Sequence, residues 1–301
     1  MALGYRLGEG KLQKSLTWLF GLAATWFLLY PLREVLTQWS PIVGIQRPVP
    51  LIAFTTAGFV SVPAFFYFLQ RRRRTLGIFG MGAALVVLLM VQSRGAYIAF
   101  MVTFMALLVL QLGDLSWWIR RLVTAGSVLA LVLPLLGQIP GRLGEPVGLE
   151  TVLEQLRTLA GVEEPGVGSW LHRLSSWPQV IQMVVESPLG PVVGVGFGPD
   201  LFQGFTIGPG VLVRKPHNDF LEIWARMGLV GFIPWIAVLL LLMLEALRGV
   251  RHNSDNAWVL ALQITLWVTS FGQPAMGFAY VTVVWTGLTG LWLGAQIRLR
   301  R

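Results

Sequence analysis

The feature that most constrains this chain is a series of apolar stretches, each close to the length that crosses a lipid bilayer. A crossing needs about 20 mainly apolar residues. Only 12% of the residues are charged, about half the share found in soluble domains. The pattern therefore predicts an all-α, polytopic membrane protein with about eight transmembrane helices. The predicted spans are roughly 15–30, 51–70, 75–92, 95–112, 117–138, 220–247, 256–273 and 279–297.

The basic residues indicate how these spans are oriented. With eight crossings, 14 of the 23 basic residues fall in short clusters on one face, which the positive-inside rule makes cytoplasmic. The net charge of +9 therefore reflects the orientation of the spans and does not indicate nucleic-acid binding. No small-residue cleavage site follows the first cluster, which predicts a retained signal-anchor. The clusters are Arg6, Lys11 and Lys14; 71–74; Arg120 and Arg121; Arg248 and Arg251; and Arg298, Arg300 and Arg301.

One long connection, 139–219, then lies outside the cytoplasm and separates an N-terminal bundle, 1–138, from a C-terminal bundle, 220–301. Seven of the fourteen acidic residues lie between residues 145 and 200. A long loop that contains its own helices is usually functional.

Two helices are expected in this loop. An apolar stripe at 149–160 predicts an amphipathic helix, suited to a membrane surface or a lid. A second helix is expected to begin near Trp177 and Pro178, because proline suits the first turn of a helix, and to end before Pro188.

Arg94 is the first candidate site residue. It follows Ser93 in a very short turn between two apolar spans, at the predicted outer face. A charge at membrane depth costs roughly 2.5–3.5 kcal/mol on insertion scales, so it is a functional candidate by default. The alternative is an arginine whose side chain snorkels to the lipid headgroups.

His217 is the second candidate. The polar run that includes Arg214 and Lys215 ends at Pro216, and a helical apolar pattern starts shortly after it. Asn218 or Asp219 is the expected N-cap, and Glu222 is expected to complete a capping box with Asp219. Histidine ordinarily titrates near neutral pH, which suits a proton acceptor. The alternative is a structural histidine bonded to the helix start.

The remaining polar groups give weaker signals. Arg173 precedes the second loop helix, where free N–H groups also attract anions, but alone it resembles a solvated arginine. His172 and His252 are expected to be incidental. The stretch 194–198, Gly-Val-Gly-Phe-Gly, is expected to be a tight turn and not a nucleotide loop, because no strand precedes it.

Several kinds of chemistry are excluded or disfavoured. The chain has no cysteine, so disulfides and thiolate ligands are excluded. It has no Asp-X-Asp, no paired-histidine metal spacing and no Gly-X-Ser-X-Gly, which disfavours metal-assisted chemistry and serine hydrolysis. We therefore expect neither a metal nor a cofactor.

Three separated pieces resemble the bacterial O-antigen ligase and O-antigen polymerase superfamily. They are Ser93-Arg94-Gly95-Ala96; Arg173 with Trp177; and His217-Asn218 followed by Glu222 and Gly228-Leu229-Val230-Gly231. The stretch from Pro188-Leu189-Gly190 to Gly194-Val195-Gly196 is also similar to that family, and the resemblance covers roughly residues 75–250. Family members have more spans before the Ser-Arg-Gly motif, which indicates a shortened N-terminus here.

The resemblance implies a GT-C-like helical fold and a glycosyltransferase of the inner membrane, with its site on the periplasmic or outer face. Such enzymes move a glycan from a polyprenyl diphosphate to a saccharide acceptor such as lipid A–core. By this resemblance Arg94 and Arg173 bind the diphosphate, and His217 acts on the acceptor hydroxyl. Ser93, Asn218, Arg214 and Lys215 would assist binding.

The alternative function is a transporter or flippase for a glycolipid or a small anion such as bicarbonate. Transporters tend to hold charges near the bilayer midplane on broken helices. Here the candidate charges cluster at one face, under the long loop, which favours chemistry on a lipid-linked substrate.

The orientation is directly testable. We expect a topology reporter fused within 145–210 to be extracytoplasmic and one fused near Arg72 to be cytoplasmic, because the basic clusters fix the inner face. Paired phosphatase and fluorescent fusions would measure both. A loop reporter active only in the cytoplasm would overturn the orientation and the outer-face site together.

Overall fold

A computed structural model of the chain describes most of its residues. These are 9–39, 48–71, 75–110, 115–137, 139, 141–142, 146–148, 150–151, 153–154, 157, 169–198, 200–201 and 216–299.

The described residues are mainly helical, as the sequence predicts. One feature was not predicted: a short antiparallel ribbon in which β1, Thr37–Trp39, pairs with β2, Pro48–Pro50. The helices are α1 (Glu9–Phe27), α2 (Phe54–Gln70), α3 (Thr75–Val91), α4 (Arg94–Leu110), α5 (Leu115–Leu136), α6 (Ser169–Glu186), α7 (Gly190–Val193), α8 (Asp219–His252), α9 (Ala257–Gly272) and α10 (Ala279–Leu299), with 3-10 turns at Tyr30–Leu32 and Ser254–Asn256.

Helix α8 is the clearest membrane-spanning candidate. Within the described part of the chain, it is the one helix that is both long enough and apolar enough to cross a bilayer. Helices α2, α3 and α4 are apolar but have 17 residues each, which at about 1.5 Å per residue makes each roughly 26 Å long. The count of eight spans therefore stays a prediction.

The core of the bundle forms where α2 packs against α3 and α9. Helix α2 carries no charged residue and is buried along most of its length. One buried polar network crosses the bundle, where pairing lowers the cost of burying an amide in a low-dielectric interior. The amide of Gln263 accepts a hydrogen bond from Trp285 Nε1 at 3.0 Å and donates one to Thr289 Oγ1 at 3.1 Å, which joins α9 to α10.

The two ends of the bundle contain different groups of residues. Helices α8 and α9 are joined by residues 253–256, so the start of α8 and the end of α9 lie at the same end. At the opposite end, a cavity of about 440 Å³ is lined by Leu12, Arg71, Arg248, Trp258 and Trp292 among others. Arg71 and Arg248, from two of the predicted basic clusters, therefore lie at the same end, together with Leu12 and Gln13, which stand between Lys11 and Lys14 of a third.

Helix α8 is broken at Gly228, where the sequence predicted a continuous run over 220–247. Gly228 has φ 57° and ψ −165°, which no helical residue adopts. Residues 219–227 pack on the loop helix α6, through a small buried cluster that includes Val184 and Ala225. Residues 229–252 expose a long apolar surface: Leu229, Val230, Ile233, Val238, Leu240, Leu241 and Leu244.

A backbone contact holds this break in place. The amide of Val195 donates to Ala225 O at 2.8 Å, and that of Gly196 donates to Arg226 O at 3.0 Å. In an unbroken helix these carbonyls would accept from residues 229 and 230. Gly194 and Gly196 both have φ 79°, so the prediction of a tight turn at 194–198 is confirmed.

The loop helices differ partly from the prediction. Helix α6 ends before Pro188 as expected, but it begins at Ser169, so the predicted start near Trp177 is wrong and Pro178 lies inside it. The reason is the helical spacing of apolar residues, which begins before the proline with Trp170, Leu174 and Trp177 and continues after it with Val180 and Val184. Of the helix predicted at 149–160, residues 150, 151, 153, 154 and 157 are described, and all are helical.

Replacing the glycine at the break should be disruptive. We expect Gly228→Ala to destabilise the protein by at least about 1–3 kcal/mol, because alanine rarely adopts this backbone conformation. A Cβ there would also lie 2.2 Å from Val192 O. Thermal unfolding in detergent measures the loss.

The matched control is Gly21→Ala in α1, where nothing lies within 4 Å of the added Cβ. It should be neutral or should stabilise the helix by about 0.5–1 kcal/mol. Equal melting temperatures for Gly228→Ala and the wild type would show that the break is not enforced by this residue.

Candidate functional site

The first part of the site is the turn between α3 and α4. Gln92 has φ 47° and is buried, which lets the chain reverse within two residues. Ser93 is 4% exposed, and its carbonyl accepts the amide of Tyr97 at 3.0 Å as the first turn of α4 forms. Arg94 is the first residue of α4 and is half-buried. Its guanidinium therefore belongs to a helix N-terminus, whose dipole adds positive potential.

The second part is the start of α8, where Asn218 is the N-cap. Its Oδ1 accepts the amide of Leu221 at 3.0 Å. Because Leu221 occupies the third helical position, Glu222 lies one residue too late for a capping box. The predicted pairing of Asp219 with Glu222 in a capping box is therefore wrong, and Asn218 is the correct choice of the two caps.

Asp219 accepts a hydrogen bond from a distant segment of the chain. It is 2% exposed, and its Oδ2 accepts the amide of Met276 at 2.8 Å. Met276 lies in the connection that follows α9. A buried carboxylate that accepts a backbone N–H makes a strong, charge-assisted hydrogen bond. Asp219 thus ties the start of α8 to the segment between α9 and α10.

Trp177 ties the loop helix to the same place. Its Nε1 donates to Pro216 O at 3.0 Å, directly before His217. Its ring also packs edge-on against Phe271 in the last turn of α9, with the ring centroids 6.0 Å apart. Helix α6 is therefore fixed both to the segment that carries His217 and to the end of α9.

His217 is the accessible residue within an otherwise buried stretch. Pro216, Asn218 and Asp219 are buried, whereas His217 is half-buried. Its φ of 52° is uncommon for a residue with a side chain, although histidine adopts it more readily than most. The Trp177 bond on one side and the Asn218 cap on the other hold this conformation.

Both parts of the site meet at the last turn of α9. The position that a Cβ would take at Gly95, next to Arg94, is 3.8 Å from Thr269 Cγ2. Phe220, three residues after His217, packs its ring 6.4 Å from that of Phe271. The structure thus brings Ser93, Arg94, His217 and Asn218 to one end of the bundle.

The other candidates are only partly described. Arg173 lies in α6, one turn before Trp177, and its side chain lies outside the described atoms, as does that of His172. Arg214 and Lys215 lie outside the described residues altogether. His252 is at the opposite end, with Nδ1 2.8 Å from the carbonyl of Arg248, which agrees with its dismissal as incidental.

Two arginines near the turn between α3 and α4, Arg33 and Arg142, were not predicted from the sequence. The amide of Arg142 donates to Met90 O at 3.0 Å, just before the turn that carries Arg94, and Arg33 Nη2 lies 3.5 Å from Arg142 O. Burial lowers the pKa of Arg142; Tyr30 opposes this, and the positive charges of Arg94 and Arg33 add to it. In sequence, Arg142 follows the predicted span 117–138 but looks like an isolated loop cation.

Neither the cavity nor, among the described residues, a metal-binding cluster marks the candidate site. The 440 Å³ cavity is at the end opposite His217, so its size does not identify the candidate site. Among the described residues, no group of three or more His, Asp or Glu side chains is arranged to hold a metal ion.

Comparison with known families agrees with this geometry. A search among curated proteins found no match. The family model described as O-antigen ligase matches residues 79–236, just over half of the chain. The matched region contains Ser93, Arg94, Arg173 and His217, and it spans both halves of the site at the end of α9. The chain therefore belongs to the O-antigen ligase family.

Proposed function

We propose that this protein is a membrane glycosyltransferase that moves a glycan from a polyprenyl diphosphate carrier to a saccharide acceptor. The observation that carries the proposal is that the turns bearing Arg94 and His217 both lie beside the last turn of α9. Both residues belong to the region that matches the O-antigen ligase family. Ligase and polymerase activity differ in the acceptor, which is either lipid A–core or a growing chain.

The leaving group explains the need for cations. A glycosidase must protonate a poor alkoxide leaving group and uses a carboxylic acid to do so. A diphosphate leaves as a stable anion, so positive charge suffices. The planar fork of arginine matches two phosphate oxygens and stays protonated in proteins. In this proposal Arg94 binds the diphosphate at the start of α4, and Arg173 joins it from α6.

The acceptor side depends on His217. Its imidazole would accept or orient the proton of the acceptor hydroxyl as the oxygen attacks the anomeric carbon. Attack opposite the departing diphosphate inverts the configuration at that carbon. Ser93, Asn218, Arg214 and Lys215 would hold the two substrates, and the step requires neither a metal nor a cofactor.

The membrane context fits a lipid-linked donor. Residues 229–244 expose apolar side chains over a length of about 24 Å, and the helix continues to His252, so that its length after the break is about 36 Å. This length is enough to cross the roughly 30 Å hydrocarbon core of a bilayer. The break at Gly228 lies between this apolar segment and His217. A carrier chain embedded in lipid would thus bring its headgroup to the polar end of the bundle. We assign the protein to the inner membrane, with the site at its periplasmic or outer face.

Arg94→Lys tests the role of the guanidinium. We expect glycan transfer to fall by roughly tenfold to a hundredfold, because lysine keeps the charge but loses the bidentate hydrogen bonds. Purified protein in detergent, carrier-linked glycan and acceptor would give the rate. Arg120→Lys, at an exposed position in α5, is the matched control. If Arg94→Lys transfers glycan at the wild-type rate, Arg94 does not bind the diphosphate, and its side chain only extends to the lipid headgroups.

His217→Asn tests the acceptor step. Asparagine tolerates the left-handed backbone conformation at this position, so folding should survive while the imidazole is lost. We expect transfer to fall by about 10²–10⁴-fold, the usual contribution of a general acid–base group. The measurements are the transfer rate, the melting temperature and donor binding.

Donor binding should persist in His217→Asn, because the arginines provide it. His252→Ala and His172→Ala serve as controls and should be near neutral. A fully active His217→Asn protein would remove His217 from the mechanism and leave catalysis to the positioning of the donor by arginine.

A further inference from the structure

Three arginines from distant parts of the sequence gather at the candidate site. Arg33 follows α1, Arg94 begins α4, and Arg142 follows α5. Arg33 Nη2 approaches the carbonyl of Arg142 at 3.5 Å, and the amide of Arg142 donates to Met90 O at 3.0 Å. Arg142 is therefore attached to the turn that presents Arg94.

The backbone around Arg142 is tightly held. Gly141 is buried, and a Cβ there would lie 2.6 Å from the side chain of Gln92 in that turn. The amide of Val147 donates to Ile139 O at 3.2 Å and closes the segment. A side chain at position 141 would have to displace the amide of Gln92. These contacts fix the position of Arg142 before any ligand binds, which reduces the entropic cost of binding.

Aromatic rings orient two of the three guanidinium groups. Arg142 Cζ lies 4.2 Å from the centroid of the Phe54 ring, and Arg33 Cζ lies 4.8 Å from that of Tyr30. Stacking of this kind uses the flat face of a guanidinium and leaves its N–H donors directed outward in the plane. Such a fork suits phosphate oxygens.

The local charge balance favours an anionic ligand. Burial lowers the pKa of Arg142, and the positive charges of Arg94 and Arg33 lower it further. Arg33 also pairs with Glu34 at 3.6 Å, and the Glu34 side chain is 83% exposed. Because Glu34 is so exposed, this pair offsets little of the positive charge. Repulsion between neighbouring cations weakens when an anion binds between them.

We propose that Arg142 and Arg33 join Arg94 in an arginine cradle for the diphosphate of the lipid carrier, with Arg142 as a further donor-binding residue. This rests on the proposed glycosyltransferase function. A membrane phospholipid headgroup offers the same phosphate chemistry, but it carries one phosphate where the cradle presents three guanidinium groups. The cradle therefore selects a diphosphate over a monophosphate.

The test compares affinity with turnover in Arg142→Ala and Arg142→Lys. We expect KM for the carrier-linked donor to rise by roughly tenfold to a hundredfold in Arg142→Ala, the usual effect of losing a charged hydrogen bond. The kcat at saturating donor and the KM for the acceptor should stay near wild type. Arg142→Lys should recover part of the loss, and Arg157→Ala, exposed in the same loop, should change nothing.

Direct binding supplies a measurement that does not require turnover. Full-length protein in detergent is titrated with a short-chain polyprenyl diphosphate, with the corresponding monophosphate, and with phosphatidylglycerol. The wild type should prefer the diphosphate, and Arg142→Ala should lose most of that preference at an unchanged melting temperature. Equal affinity of the wild type for all three lipids would overturn the cradle.

The two proposals fail in different ways. If Arg142→Ala keeps the wild-type donor KM and lipid preference while Arg94→Lys and His217→Asn are impaired, the cradle is wrong and the glycosyltransferase stands. If the wild-type protein transfers no glycan to either acceptor, the proposed function is wrong. A preference for the diphosphate that depends on Arg142 would then remain as a binding property.

Discussion

The break in α8 at Gly228, and the backbone contact that holds it, decide where the rest of the site lies. An unbroken helix would carry residues 219–227 straight on from the apolar segment 229–252. Instead, the amides of Val195 and Gly196 donate to the carbonyls of Ala225 and Arg226. An added Cβ at Gly194 or at Gly228 would lie within 2.5 Å of backbone atoms on the other side of this contact. The first part of α8 therefore packs on α6 and carries His217 away from the line of the apolar helix.

The last turn of α9 is where the separate parts meet. Thr269 lies beside the start of α4, and Phe271 packs against both Trp177 and Phe220. Each contact is small, but together they link three segments that are far apart in sequence. Asp219 adds a buried charge-assisted bond to the residues that follow α9. Precise placement of this kind is what a reaction between a lipid-linked donor and a separate acceptor needs.

Positive charge gives this end of the bundle its chemical character. Arg94 starts a helix, Arg142 stacks on Phe54, and Arg33 stacks on Tyr30. The family to which the chain belongs acts on lipid-linked saccharides, whose phosphates are anionic. The cavity at the opposite end lies between the helix ends that carry Arg71 and Arg248.

The sequence by itself determined the helical, apolar character of the chain and the short turn that presents Arg94. These depend on local composition and periodicity, which tertiary contacts rarely override for long apolar helices. It left open whether Asn218 or Asp219 was the cap, and it did not predict that Arg142 lies next to the turn that carries Arg94. Only the tertiary structure decided these points, because the bond from Asp219 to Met276 and the approach of Arg142 to Met90 join residues more than 50 positions apart. A contact of that kind leaves no periodic pattern in the sequence, because it depends on how the helices pack.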